Sequence, residues 1–144
     1  MATVILVLHL LGASVWVGGH LVLLLAVLPK ALRQQDHRLV LAFEERYERV
    51  GVPALVVQLL TGLWLANRYV PGILPAFDLE GRLHVIVAVK LSLLFTTILV
   101  GAHARLRIIP RLDPGRLGSL AGHILLVNAL AIGLVVAGAM VRDH

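Results

Sequence analysis

The residues Thr3–Leu28 read TVILVLHLLGASVWVGGHLVLLLAVL, an apolar run that ends at Pro29 and Lys30. At a rise of ~1.5 Å per residue, a helix of this length exceeds the ~30 Å hydrocarbon core of a bilayer. No basic region precedes the run and no small-residue cleavage site follows it, so we interpret it as a retained span and not as a signal peptide. The run therefore predicts a transmembrane helix.

The composition of the chain agrees with a membrane protein. Of its 144 residues, 59% are hydrophobic, and the mean hydropathy of +0.92 lies far above that of soluble domains. The chain has no cysteine, which excludes disulfides, thiolate zinc sites, iron–sulfur clusters and covalent c-type haem. Seven histidines against two methionines leave imidazole as the abundant metal ligand, while the soft ligands that copper(I) prefers are scarce.

Three further apolar runs follow the first. The four predicted spans cover about residues 3–28, 51–70, 83–109 and 117–141. Pro71 and Pro75 stop the second run, Lys90 is the one charge at the centre of the third, and the turn-rich PRLDPGRLG precedes the fourth. The sequence predicts an all-α polytopic membrane protein, in which residues 1–144 form one domain of four transmembrane helices in an antiparallel bundle.

Basic residues are distributed unevenly between the links. The link after the first span and the link after the third together carry nine basic residues: Lys30, Arg33, Arg38, Arg46, Arg49, Arg105, Arg107, Arg111 and Arg116. Three lie on the other side: Arg68, Arg82 and Arg142. The positive-inside rule then places the basic loops in the cytoplasm and both termini outside, in a bacterial or archaeal cytoplasmic membrane.

The first basic link, residues 33–50, has the pattern of an amphipathic helix. Leu39, Phe43 and Tyr47 recur four apart, while EER and ER are expected to face water. His37 lies here as a surface residue. The simplest interpretation is a solvated cytoplasmic helix that caps the bundle.

His9 and His20 lie on one face of the first predicted helix. Eleven residues at ~100° each bring them within ~20° of one another, ~16 Å apart along the axis. That spacing suits b-type haems stacked across a membrane bundle. Gly12, Gly18 and Gly19 either leave room for a flat macrocycle or serve helix packing. Trp16 either contacts the edge of a haem or is a packing residue or an interface anchor.

Depth along the predicted helices sorts the other ionisable residues into two clusters. His9, His84 and Lys90 form an outer cluster; His20, His103 and His123 form an inner one. His84 and His103 are ~100° apart around the third helix, so they cannot both face the bundle axis. His144, at the chain end, is a weak candidate.

Ionisable residues inside a bilayer are costly and usually functional, although any one of these histidines alone can be a hydrogen-bonded packing residue. Lys90 has no carboxylate within the four spans, which makes it a ligand, a proton carrier or a partner for a cofactor's propionate. Gln58 and Asn128 are expected either to hydrogen-bond between helices or to line a polar substrate path.

The segments VWVGG, TGLWL, VKLSLL and GAHARLRIIPRL resemble the membrane domain of the copper resistance protein D (CopD-like) family, over nearly all 144 residues. The chain also resembles, more distantly, the four-helix protoporphyrinogen oxidase family called HemJ, in which a first-helix histidine and a third-helix lysine matter and b-type haem is bound. His9 and Lys90 fall on that pattern. The first resemblance implies copper passage, and the second implies haem.

Three functions follow as hypotheses. In the first, a haem-binding redox protein holds one or two haem b groups, with His20 plus His103 or His123 as ligands inside and His9 with His84 or Lys90 outside. In the second, a copper-transport protein uses His9, His20, His103 and His123 as a relay. In the third, the chain is an accessory subunit of a respiratory complex and its histidines are structural.

The catalytic residues stay unassigned. Enzymatic activity would be that of a membrane oxidoreductase, quinone-linked or porphyrinogen oxidase-like. The expected partners are the bilayer and either a quinone or a redox protein, with a second copy or a larger membrane complex as further options. Nucleic acid is excluded as a partner, because the positive charge follows the topology of the loops.

Overall fold

The computed structural model describes residues 1–142, and the regular elements within them are all helical. Asp143 and His144 lie outside the described residues. Four long helices form a bundle: α1 (Ala2–Gln34), α2 (Arg38–Tyr69), α3 (Arg82–Arg111) and α4 (Leu117–Arg142). Each is long and apolar enough to cross a membrane. The prediction of an all-helical protein with four spanning helices is confirmed.

A tight turn joins α1 to α2. Gln35 ends α1 in the left-handed conformation (φ 52°), and the Asp36 carboxylate accepts a hydrogen bond from the backbone N–H of Arg38 at 2.9 Å. That bond satisfies one of the free N–H groups with which every helix begins. The turn is therefore built from the polar residues QQD at 34–36.

The amphipathic segment and the second span are one helix in the structure. α2 runs through Pro53 without a break for 32 residues. Its first turns pack onto the bundle through Val40, which is fully buried, and through Phe43. The amphipathic segment is therefore the first part of the helix that continues into the second predicted span, and not a separate helix that ends at residue 50.

The bundle is made of two closely packed pairs, α1 with α2 and α3 with α4, joined mainly through contacts of α1 with α4. Leu23, Ile108 and Leu117 belong to a buried cluster at one end, and Val70 packs with Val87 at the other. α2 and α3 make little contact with each other. The space between the pairs is consequently not filled by side chains.

Two short π-helical segments interrupt the long helices, Leu23–Val27 in α1 and Ala104–Ile108 in α3. Each contributes a buried residue, Leu23 or Ile108, to the same cluster. A π turn inserts a residue and shifts the faces that follow it. Both segments come after the histidines of their helices, so the face shared by His9 and His20 is unaffected.

Candidate functional site

A cavity of about 1210 Å³ lies between the four helices, all of which contribute to its wall. Pockets for small molecules usually have volumes of ~300–1,000 Å³, so this one has room for a large ligand. Its wall is mostly apolar. We call the region around His9, Gln58 and Lys90 the Lys90 end, and the region around Glu44, Glu48 and Arg105 the Arg105 end.

The His9 ring is held against α2. Its Nδ1 lies 3.0 Å from the Gln58 carbonyl oxygen and 3.1 Å from Thr61 Oγ1, whose own hydroxyl donates to the Val57 carbonyl. A carbonyl can only accept, so Nδ1 carries the hydrogen and Nε2 of the neutral ring keeps a free lone pair. A Cβ at Gly62 would come within 2.9 Å of His9 Cε1, so that glycine makes room for the ring.

The His20 ring also has its Nδ1 bound to a backbone carbonyl, but the carbonyl belongs to its own helix. Its Nδ1 donates to the carbonyl of Trp16, one turn back on α1, at 2.8 Å. The ring centroid lies 4.3 Å from that of Trp16 and 5.8 Å from that of Tyr47, whose hydroxyl donates to the same carbonyl at 3.0 Å. Two aromatic rings therefore fix the imidazole, and its Nε2 lone pair is free.

Lys90 lines the cavity from α3. A Cβ at Gly138 of α4 would lie 3.5 Å from Lys90 Nζ, and Lys90 lines the same cavity as His9. His84, which the sequence grouped with these two, is half-buried beside Gly81 and is not part of the cavity wall. The structure thus brings His9 and Lys90 to one cavity and leaves His84 outside it.

His103 and His123 form a hydrogen-bonded pair. His103 Nδ1 lies 3.1 Å from His123 Nε2, with the ring planes 20° apart, and His123 Nδ1 donates to the Ser119 carbonyl at 3.0 Å. Since Nδ1 of His123 carries the hydrogen, its Nε2 is the acceptor and His103 is the donor. His123 lines the cavity with His20, whereas the exposed His103 does not.

The first basic link contributes acidic residues to the cavity. Glu45, Arg46 and Arg49 are exposed, as expected, but Glu44 and Glu48 are half-buried and line the cavity wall. The expectation that all of EER and ER faces water was incomplete, because α2 is continuous and turns these two carboxylates toward α3. Arg105 Nη2 lies 2.7 and 2.8 Å from the two carboxylate oxygens of Glu48.

Two of the three first-helix glycines serve helix packing. Gly12 faces Ala54 and Gln58 of α2, Gly19 faces the Tyr47 ring, and a Cβ at Gly18 would meet nothing within 4 Å. None of the three is part of the cavity wall. Of the two interpretations of these glycines, packing is supported for Gly12 and Gly19.

Two mid-span amides retain buried acceptors. Among residues 1–142, the Gln58 Oε1 and Asn128 Oδ1 atoms are buried and find no hydrogen-bond partner. Asn128 donates through Nδ2 to the Ile124 carbonyl at 2.8 Å and is not part of the cavity wall, whereas Gln58 lines the cavity. The expected interhelical hydrogen bonds of these amides are therefore not made by their oxygens.

Within residues 1–142, no three His, Asp or Glu side chains lie close enough together to hold a metal ion by themselves. A haem needs only one or two protein ligands, because the porphyrin supplies four nitrogens. No protein-family model, curated protein or solved structure matches this chain. The resemblance to the CopD-like and HemJ families therefore stays a prediction.

Proposed function

We propose that this chain is an integral membrane electron-transfer protein that would bind haem b in the cavity between its four helices, with His20 as a ligand of the iron. The observation that carries the proposal is the His20 ring, which lines the cavity with Nδ1 bound to the Trp16 carbonyl and Nε2 free. Histidines that bind metals usually have their second ring nitrogen fixed in this way.

The cavity suits a porphyrin in size and in lining. Its volume of about 1210 Å³ exceeds that of ordinary small-molecule pockets, and its walls are mostly apolar. His123, on α4, is the candidate for a second ligand, because its Nε2 also carries a lone pair. To use it, His123 must give up the hydrogen bond from His103. Alternatively, His9 could be the ligand of a second haem.

Haem would supply one-electron chemistry at its iron. The chain's own contribution is to hold the imidazole and to exclude water. The Trp16 carbonyl orients the His20 ring and increases its basicity as a ligand, and the rings of Trp16 and Tyr47 restrict its rotation. Lys90 and Arg105 line the cavity and are suited to pair with carboxylates.

We also propose an antiparallel bundle with both termini outside the cell. Along α3, residues Lys90, Leu93 and His103 meet Gly138, Gly133 and His123 of α4, which run in the opposite chain order. The Arg105–Glu48 pair brings the two basic segments to one end. The nine-to-three distribution of basic residues then favours that end for the cytoplasm.

The orientation predicts the outcome of reporter fusions. A reporter inserted after Arg111 should be located in the cytoplasm, and one at the C-terminus should be located outside, because the basic loops resist translocation. Alkaline phosphatase and green fluorescent protein fusions give opposite signals and check each other. A cytoplasmic C-terminus would overturn the proposed orientation but would not affect the proposal that haem binds in the cavity.

The visible absorption spectrum of the purified protein tests the function. Haem ligated by histidine should give a Soret band that shifts when the iron is reduced with dithionite, whereas the copper alternative predicts a protein without a Soret band that retains copper through gel filtration. A protein that holds neither when expressed with sufficient haem and copper would favour the accessory-subunit alternative and overturn the proposal.

A further inference from the structure

The cavity wall is continuous with the outer surface of the bundle along the seam between α2 and α3. These two helices make little contact with each other. Val52 and Leu63 on α2 and Ile98 on α3 line the cavity and are 50%, 43% and 45% exposed, whereas Val127, which lines it from α4, is 7% exposed. The same seam residues therefore belong to the cavity and to the surface that faces lipid in a membrane.

The seam has a gap near the Arg105 end. Arg105 Nη2 crosses the seam to the Glu48 carboxylate oxygens at 2.7 and 2.8 Å. About one turn from this pair toward the middle of each helix, an antiparallel arrangement places Val52 of α2 level with Gly101 of α3. Gly101 lines the cavity and is exposed, and a Cβ there would meet nothing within 4 Å. The seam thus has room for an additional side chain, or for a ligand of similar width, at Gly101.

The side of the bundle between α1 and α4 is closed around the middle of the cavity. There the two helices pack through a buried cluster of Trp16, Val127 and Ala131. Leu10 and Val135 line the cavity and are 55% and 51% exposed, but they lie beyond that cluster, toward the Lys90 end. A molecule from the lipid phase is therefore expected to reach Trp16 through the seam between α2 and α3.

The wall around Trp16 is mostly apolar, with Val17 and Leu55 packed against the same cluster. Apolar cavities stay dry, and an empty space of this size would leave the side chains that line it without contacting atoms. Lipid tails are as apolar as leucine side chains, so a lipid chain exchanges one apolar environment for another when it enters. Hydrocarbon from the bilayer is therefore the expected filling.

We propose that an acyl chain of a membrane phospholipid occupies the cavity when haem is absent, and that it enters between α2 and α3 through the gap at Gly101. The headgroup stays at the membrane surface beside the Arg105–Glu48 pair, and the chain reaches Trp16. This occupancy goes beyond the proposed electron-transfer function and needs no haem. Binding of haem in the same cavity would displace the chain.

Trp16 can report on the occupant, because brominated acyl chains quench tryptophan fluorescence only at close range. The test uses haem-free Trp64→Phe protein, in which Trp16 is the only tryptophan, in bilayers of dibrominated or unbrominated phosphatidylcholine. A reference protein with Val15→Trp, Trp16→Phe and Trp64→Phe carries its only tryptophan one residue earlier. Val15 is exposed and outside the cavity wall, so this tryptophan reports contact with lipid at the same depth.

Brominated lipid should quench Trp16 nearly as strongly as the tryptophan at position 15, although Trp16 is buried. Adding Gly101→Phe should remove most of the quenching of Trp16, because the ring fills the gap. Gly122→Phe is the matched control: Gly122 is also exposed with nothing within 4 Å of a Cβ, but it lies outside the cavity wall and should leave the quenching unchanged.

Gly101→Phe is informative if its circular dichroism and its emission in unbrominated lipid match those of the Trp64→Phe protein. Gly101→Leu, which adds a smaller side chain to the same gap, carries the test if the phenylalanine variant fails to fold. Val135→Phe examines the opening between α1 and α4 at the Lys90 end and should leave the quenching of Trp16 unchanged.

Three results would overturn the inference. Trp16 that is not quenched by brominated lipid would show that no chain reaches it, and strong quenching by the water-soluble acrylamide instead would assign the cavity to water. Quenching that responds to Val135→Phe and not to the Gly101 variants would place the entrance between α1 and α4. Lipid quenching in a protein that shows no Soret band with added haem would reject the haem proposal alone. A Soret band in a protein whose Trp16 is not quenched by lipid would reject this inference alone.

Discussion

Replacing His20 by alanine is expected to remove haem from the protein. Changes to groups that merely orient a metal ligand cost ~10–100-fold in affinity, so loss of the ligand itself should weaken binding of the haem at this position at least ~10-fold. The haem content per chain should fall to the background level if one haem is bound, and to about half if a second haem is bound at the Lys90 end. Neither lipid nor the aromatic rings of Trp16 and Tyr47, which flank His20, offers a replacement nitrogen. The measurement is haem per chain, from the pyridine haemochrome spectrum and the protein concentration.

Two other alanine variants make that result specific. His37→Ala changes a residue in the link between α1 and α2 and should keep the full haem content. His9→Ala should also keep it if the chain binds one haem, and should halve it if a second haem is bound at the Lys90 end. Unchanged haem content and an unchanged spectrum in His20→Ala would reject His20 as a ligand.

The His20→Ala protein must also remain folded for its haem content to be informative. Exogenous imidazole provides the check, because it fits the space left by the removed ring and supplies the same nitrogen. When haem and imidazole are added together, His20→Ala should regain haem that stays with the protein through gel filtration, and a variant that lost haem by unfolding should not, which would show that only the ligand was missing.

The helices were predictable from sequence because long apolar runs and their Pro and Gly boundaries are local features. The union of the amphipathic segment with the second span was not, since a proline at residue 53 normally argues for a boundary, whereas α2 runs through it without a break and packs Val40 and Phe43 onto the bundle. The π-helical segments at Leu23–Val27 and Ala104–Ile108 have no sequence signal that we could identify.

The candidate site was predictable only in part. Helical periodicity placed His9 and His20 on a common face, and both line the cavity. Depth alone grouped His84 with His9 and Lys90, but a residue's place in a cavity wall also depends on how α3 packs against its neighbours, and His84 is not part of the wall. The roles of Glu48 and Arg105 depend on a contact between residues 57 positions apart in sequence, which periodicity within one helix cannot reveal.

Tyr47 is the residue that joins α1 and α2 beside the cavity. Its hydroxyl donates to the carbonyls of Val15 and Trp16, at 3.2 and 3.0 Å, and its ring stacks on Phe43. The ring fits between Gly19 of α1 and Gly51 of α2, and a Cβ at either glycine would overlap it. Because both sides are closed, the ring cannot make room for a methyl group by a small rotation.

Gly19→Ala should therefore destabilise the folded protein by about 1–3 kcal/mol, the usual cost of inserting a methyl group into a packed contact. Gly18→Ala is the matched control one residue earlier: its Cβ would meet nothing within 4 Å, and alanine's better helix propensity should leave stability unchanged or raise it by up to ~1 kcal/mol. Thermal unfolding of both variants in the same detergent, followed by circular dichroism, gives the comparison. If Gly19→Ala unfolds at or above the midpoint of Gly18→Ala, the Tyr47 ring is not confined between the two helices. His20, whose ring lies edge-on to Tyr47, would then be restricted in its rotation by the Trp16 ring alone.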